Sequence, residues 1–206
     1  MIAIIDYGVG NLGSISNMLK KAKADCYVAN TAADIKRADK IILPGVGHFE
    51  TAINTFKKSG LVDVIEDRVF NDRIPILGIC VGMQMLANYS EEGNVEGLGW
   101  IPGTVRHFKN KVDVKKFRIP HMGWNYVQPM AEHEILNDFE EDAKFYFVHS
   151  YYFDPKDHNH ILMQTNYDGN FTSMVQKDNI IGAQFHPEKS HKYGMQLMKN
   201  FANIGE

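Results

Sequence analysis

The stretch Ile76-Leu77-Gly78-Ile79-Cys80-Val81-Gly82-Met83-Gln84-Met85-Leu86 decides how the chain is read. An apolar run of strand length ends at a cysteine flanked by glycines, and a helix-like pattern follows at once. The spacing Gly78-x-Cys80-x-Gly82 is that of a nucleophile elbow, with sulfur where a hydrolase carries a hydroxyl. Small neighbours let the backbone turn tightly from strand to helix, which holds the side chain out over the sheet edge. The N–H groups of the new helix would favour thiolate. The same residues also fit a buried core thiol in a βα unit. On this stretch alone both readings stand. The nucleophile reading needs a base, an orienting acid and an oxyanion site from elsewhere in the chain.

Upstream of the elbow the chain reads as repeated βα units. A β-branched run at residues 2–5 is a buried first strand, followed by Gly8-Val9-Gly10-Asn11-Leu12-Gly13 and a helical pattern over 14–24. This matches G-x-G-x-x-G in its strand-to-helix setting. A dinucleotide fold also wants an acid closing the second strand. That strand, residues 26–30, ends in Asn30-Thr31 with Asp34 only later, so the loop reads instead as a glycine-rich turn facing a ligand or partner. The third strand, 40–43, runs into Pro44-Gly45-Val46-Gly47, whose backbone amides could line an oxyanion hole. Helical patterns cover 49–58 and 61–70, and the elbow strand and helix cover 75–88. The expectation is an α/β fold: an open, mostly parallel, flavodoxin-like sheet flanked by helices, with ligands at the carboxyl ends of its strands.

After Glu91 glycines and prolines break the pattern. Alternating runs at 104–108, 116–119, 144–148, 161–165, 171–176 and 180–185 predict strands, and residues 190–202 a last helix. The C-terminal half is therefore β-rich. Three stretches in it carry chemistry: Pro120-His121-Met122-Gly123-Trp124-Asn125, Phe147-Val148-His149-Ser150-Tyr151-Tyr152 and Gln184-Phe185-His186-Pro187-Glu188-Lys189. In extended backbone His186 and Glu188 share a face, with Pro187 stiffening the link, which suits a carboxylate orienting an imidazole. His149 is the rival base. Asp157-His158-Asn159-His160 has metal-ligand residue types but no matching cluster, so it reads as a solvated loop. Cys26, inside a strand, reads as structural.

Composition narrows the classes. The 206 residues are enough for one substantial domain, 1–206. Hydrophobic residues make up 44% and charged residues 23%, an ordinary globular profile. A net charge of -3 makes no electrostatic case for nucleic acid or an anionic membrane. No apolar run approaches the roughly 20 residues of a membrane span. The first residues lack the basic n-region of a secretory signal, and two cysteines do not make a disulfide framework, so a reducing cytoplasm is expected.

Pro44-Gly-Val-Gly47, Gly78-Ile-Cys-Val-Gly-Met-Gln84 and Gln184-Phe-His-Pro-Glu-Lys-Ser190 together resemble the class I, or triad, glutamine amidotransferase domain. Asp6-Tyr-Gly-Val-Gly-Asn11, Pro120-His-Met-Gly-Trp-Asn125 and Tyr146-Phe-Val-His-Ser-Tyr-Tyr152 are similar, more narrowly, to glutaminase subunits of imidazole glycerol phosphate synthases. The resemblance implies Cys80 as nucleophile, His186 as general base and then acid, and Glu188 as its orienting group. It implies an oxyanion site from Gly45, Val46, Gly47 and Val81, and glutamine contacts from Gln84, His149, Ser150 and Tyr151. It places Asn11, Trp124 and Lys189 toward a partner. No cofactor or metal is implied. The partner would be a separate (β/α)8 cyclase chain in a heterodimer, since a barrel of roughly 250 residues does not fit in this chain. Residues 176–179 and 191–193 are also similar to paralogues serving sugar-modifying enzymes, which is the alternative partner. A stand-alone cysteine hydrolase with the same triad is the remaining alternative.

Overall fold

The computed structural model describes residues 1–205. Its first half alternates strand and helix: β1 (Ile2–Ile5), α1 (Leu12–Lys21), β2 (Cys26–Ala29), α2 (Ala32–Lys36), β3 (Lys40–Leu43), α3 (Phe49–Lys58), α4 (Val62–Glu66) and β4 (Ile76–Ile79). A one-turn helix, α5 (Val81–Gln84), follows the elbow. The second half is mostly strands: β5 (Tyr89–Ser90), β6 (Val95–Glu96), β7 (Gly103–His107), β8 (His121–Tyr126), β9 (Gln128–Pro129), β10 (Lys144–His149), β11 (Tyr151–Pro155), β12 (Ile161–Asn166), β13 (Asn170–Lys177) and β14 (Ile180–Ala183). The long helix α6 (His191–Asn203) closes the described chain.

The main sheet runs β2-β1-β3-β4-β14-β13-β11-β7-β5-β6, with β12 on β13 and β9 on β12. From β2 to β14 every pairing is parallel; from β14 outward through β13, β11 and β7 it is antiparallel. The sequences of β1, β3, β4 and β14 explain why they are central. Each is an almost unbroken apolar run with every residue buried, as a strand covered by helices on both faces must be. The edge strand β2 is only half-buried. Helix α1 turns Ile15, Met18 and Leu19 inward and packs against α6, which buries Leu197, Met198 and Phe201. Right-handed crossovers put α2, α3 and α4 on the opposite face. Their inward rows include Ile35, Phe49, Ile53, Phe56 and Ile65.

Three expectations need correction. Residues 116–119 form no strand: the amides of Lys116 and Phe117 both bond back to Asp113 O, making a turn, and the strand begins after Pro120, as β8. β8 pairs only with β10, in a separate two-stranded sheet. The expected helix over 61–70 is α4 continued by a wide turn at Asp67–Asn71. The helix after the elbow is much shorter than the pattern predicts. Its later carbonyls are captured from outside: Met85 O by the Leu98 amide, Leu86 O by Ile101 and Ala87 O by Gly99. Met83, Met85, Leu86 and Ala87 are apolar because they are buried on every side, and this suits a knot of turns as well as a helix. Strand β11 was not anticipated. It continues β10 past Ser150, where the chain leaves the small sheet and joins the large one.

Candidate active site

The carboxyl ends of β1, β3, β4 and β14 lie along one edge of the parallel sheet, and each delivers one of the motifs. The elbow follows β4. Cys80 has φ 55° and ψ -112°, left-handed backbone that a side chain rarely adopts, at a cost of about 1–3 kcal/mol. The turn closes only because glycines flank it. A Cβ on Gly82 would lie 2.0 Å from Leu43 O, and one on Gly78 would lie 2.7 Å from Gly82 O. Cys80 is 5% exposed and its side chain opens onto a cavity of about 380 Å³. Because α5 is a single turn, its dipole is not the main support for a thiolate. The stronger support is His186, which hydrogen-bonds to Cys80.

His186 and Glu188 meet as expected, but not through extended backbone. His186 precedes a tight turn, Pro187–Lys189, and the turn folds Glu188 back on the ring. His186 Nδ1 lies 2.8 Å from Glu188 Oε1, with both side chains buried. The remaining oxygen, Glu188 Oε2, is buried and meets no donor among the described residues. Burial alone would lower the His186 pKa. The hydrogen bonds to Cys80 and Glu188, and the negative charge of both, outweigh it and raise the pKa to about 10. The segment is pinned from behind. Tyr146 O accepts from His186 N at 2.9 Å, and the buried Ser190 Oγ donates to His186 O at 2.6 Å while accepting from Tyr146 N at 3.0 Å.

His149, the rival base, lines the same cavity, but both of its ring nitrogens are engaged. Nε2 is 2.9 Å from His121 Nδ1, and Nδ1 is 2.7 Å from Tyr151 O. Burial, then the neighbouring His121, lowers its pKa to about 3. It is neither a free base nor, with no nitrogen left over, a direct hydrogen-bonding contact for glutamine. Ser150 and Tyr151 line the cavity, as does Gln84, whose Nε2 donates to Tyr151 O at 3.1 Å and to Gln184 Oε1 at 3.0 Å.

Of the expected oxyanion donors, Val46, Gly47 and Val81 border the cavity and Gly45 does not. Gly45 is buried against the elbow, where a Cβ would meet Gly82 N at 2.4 Å; it is there to let the two loops touch. The amides of Val46 and Gly47 have no acceptor among the described residues. Gly47 takes φ 84°, a conformation open to glycine.

The residues expected to face a partner are exposed. Asn11 caps α1 through a 3.4 Å bond from Ser14 N, Trp124 stacks on His191 at 5.5 Å, and Lys189 reaches the cavity rim with its ammonium 5.8 Å from the Tyr146 ring. The turn at residues 8–13 packs on Pro44 through Gly10, and Asp34, the acid that follows the second strand, is bonded to Thr31 and Arg37. Cys26 is half-buried, its Sγ 3.6 Å from Ser16 Oγ. Asp157 caps its own turn by accepting from Asn159 N.

Three residues at the site were missed. Gln184 Nε2 lies 3.9 Å from Cys80 Sγ, and the alternation Gln184-Phe185-His186 could have flagged it, since Phe185 is turned into the core against Phe145. Tyr7 donates to Pro44 O at 2.7 Å; burial, then the Cys80 charge, pushes its phenol up, so it stays neutral. Glu92 lines the cavity and accepts from Phe49 N at 2.9 Å, a placement no local pattern announces.

The glutamine amidotransferase class-I family model matches residues 3–204. The chain belongs to the class I glutamine amidotransferase family. Among its relatives, an imidazole glycerol phosphate synthase subunit HisH 2 of Pseudomonas aeruginosa is 52% identical over 99% of this chain and all of its own length. A protein of the same name from Methanococcus maripaludis is 51% identical over 98% of each. The subunit HisH of Bdellovibrio bacteriovorus is 47% identical over 99% of this chain. Solved structures show the same fold at low identity. PurLQS from Thermotoga maritima superposes with a TM-score of 0.73 at 16% identity over 98% of this amidotransferase and 97% of that chain. A glutamine amidotransferase from Thermotoga maritima superposes with a TM-score of 0.64 at 17% identity over 91% of this chain and 75% of that chain. No described helix is long and apolar enough to cross a membrane.

Proposed function

We propose that this amidotransferase is the glutaminase subunit of an imidazole glycerol phosphate synthase, acting in histidine biosynthesis in the cytoplasm. It hydrolyses L-glutamine to glutamate and hands ammonia to a separate (β/α)8 cyclase chain with which it forms a heterodimer. The observation that carries the chemistry is Cys80 on a strained elbow, hydrogen-bonded to a His186 that Glu188 holds at 2.8 Å. The near-full-length relatives from two bacteria and one archaeon are named as imidazole glycerol phosphate synthase subunits, which favours the cyclase over a sugar-modifying enzyme as partner.

In this reading His186 receives the Cys80 thiol proton as the sulfur attacks. The thiolate adds to the side-chain amide carbon of glutamine, and the negative oxygen settles against amides from Val46, Gly47 and Val81. His186 gives its proton to the departing nitrogen, the C–N bond breaks, and ammonia leaves a glutamyl thioester. Neutral His186 then takes a proton from water as the hydroxide adds, and glutamate is released with Cys80 restored. Glu188 keeps Nδ1 in place throughout. The 380 Å³ cavity, bounded by Gln84, Ser150 and Tyr151, is of a size for one amino acid.

The test is glutamate release from the chain mixed with an imidazole glycerol phosphate cyclase and its ligand. Cys80→Ala is expected to lose at least about 10³-fold in kcat. Unchanged release would refute the nucleophile, and stimulation only by a sugar-modifying enzyme would refute the pathway.

A further inference from the structure

Asn125, His121 and His149 form a hydrogen-bonded row from β8 to the cavity, and the row has one direction. Asn125 Oδ1 accepts from Tyr126 N at 2.9 Å, so its Nδ2 is the donor, to Asn166 O at 2.9 Å and to His121 Nε2 at 3.2 Å. At the other end His149 Nδ1 lies 2.7 Å from Tyr151 O, which can only accept. His149 Nδ1 therefore carries the hydrogen. In the neutral ring its Nε2 is then an acceptor, so His121 Nδ1, 2.9 Å away, carries the other. Both rings are 4–6% exposed, and burial holds them neutral, at about 4 for His121 and about 3 for His149. The carbonyl that ends the row is shared: Gln84 Nε2 also donates to Tyr151 O, at 3.1 Å, and both residues line the cavity.

We propose that His121 is a positioning residue for the glutamine substrate. Acting through His149, it fixes the Tyr151 carbonyl and with it the Gln84 side chain. This deepens the function proposed above and rests on it. His121 touches no reacting atom, and the proton movements of Cys80 and His186 do not pass through it. Without its donor, His149 Nε2 has nothing to accept from, the ring is free to turn or change tautomer, and the wall of the pocket loosens. The strand that sets this wall presents Met122, Trp124 and Tyr126 to solvent on its other face.

Nitrogen-15 NMR of the full chain, histidine-labelled and bound to the cyclase, tests the row without any variant: both rings should be neutral and protonated at Nδ1. An Nε2–H tautomer or a charged ring at pH 7 for either overturns the proposal. Variants test its consequence. An Asn amide places a donor where Nδ1 stands, a Gln amide does not, and Phe has none. His121→Phe and His121→Gln should each raise KM for glutamine about tenfold with kcat within about twofold, while His121→Asn stays within about threefold of the parent in KM. Equal KM for all three, or a fall in kcat at unchanged KM, overturns it. His121→Gln is polar and of similar size, so it stands in should His121→Phe fail to fold. A parent protein that releases no glutamate overturns the proposed function itself; an active parent with an unaffected His121→Gln variant overturns only this inference.

Discussion

Two buried imidazoles face the same cavity, one charged and one neutral. His186 hydrogen-bonds to Cys80 and, through Nδ1, to the Glu188 carboxylate, and the two together raise its pKa to about 10. His149 has a neutral imidazole on one side and a backbone carbonyl on the other, and its pKa falls to about 3. Burial is nearly the same, at 3% and 6% exposure, so it does not separate them. What separates them is whether an anion stands within hydrogen-bond reach. A charge paired at 2.8 Å more than offsets its desolvation, and a polar but uncharged neighbour does not. One ring is thereby equipped for proton transfer, and the other for holding position.

Replacing the anion breaks this comparison with the largest effect. Glu188→Gln keeps the shape but removes the charge, and its amide can present an N–H to Nδ1 and favour the wrong tautomer. The expected fall in kcat for glutamate release is on the order of 10²- to 10⁴-fold, and the His186 titration read by NMR should drop toward the ordinary value. A kcat within a few-fold of the parent would mean that the ring is held and charged well enough by Cys80 without the carboxylate.

The pH dependence of stability sharpens the comparison from both sides. His186 binds its proton more tightly folded than unfolded, so its contribution is complete below about 6.5 and is lost as pH rises toward about 10. His149 is the reverse: its contribution is complete above about 6.5 and is lost as pH falls toward about 3. Each limb should slope by roughly 1 kcal/mol per pH unit in urea unfolding. In Glu188→Gln the alkaline limb should shrink, leaving the share that Cys80 supplies, and the acid limb should persist. Flattening of both limbs would show that the two rings are not independent.

The smallest effect concerns the support behind His186. Ser190→Ala leaves the Tyr146 amide and the His186 carbonyl without the hydroxyl that joins them, and should cost about 1–3 kcal/mol in unfolding free energy. Because Glu188 still holds Nδ1, KM should stay near the parent value. A stability change below about 0.5 kcal/mol would mean that the loop is held by its backbone alone.

Legibility in the sequence follows the range of the interactions. β1 and β3 read correctly to the residue, and β4 lies at the start of the expected elbow segment, since burial on both faces forces continuous apolar runs. The elbow was legible because only glycine tolerates the contacts around Gly78 and Gly82. The pairing of His186 with Glu188 was legible because they are two residues apart, although a tight turn rather than an extended strand makes it. The short α5 was not legible, because residues 97–101, distant in sequence, capture its carbonyls. Glu92 and Tyr7 were invisible for the same reason: each reaches the site through another loop's backbone.

The local pattern of the chain by itself determined the parallel α/β core, the position of the cysteine turn and the carboxylate beside His186. These rest on strand burial, glycine sterics and contacts over a few residues. Which histidine is charged was a tertiary decision. His149 and His186 are similar as letters in a motif, and only the fold sets one against Glu188 and Cys80 and the other against His121. The charge of a buried imidazole is decided by its hydrogen-bonded neighbours, and the partner that completes each ring, Cys80 or His121, comes from a part of the chain remote in sequence.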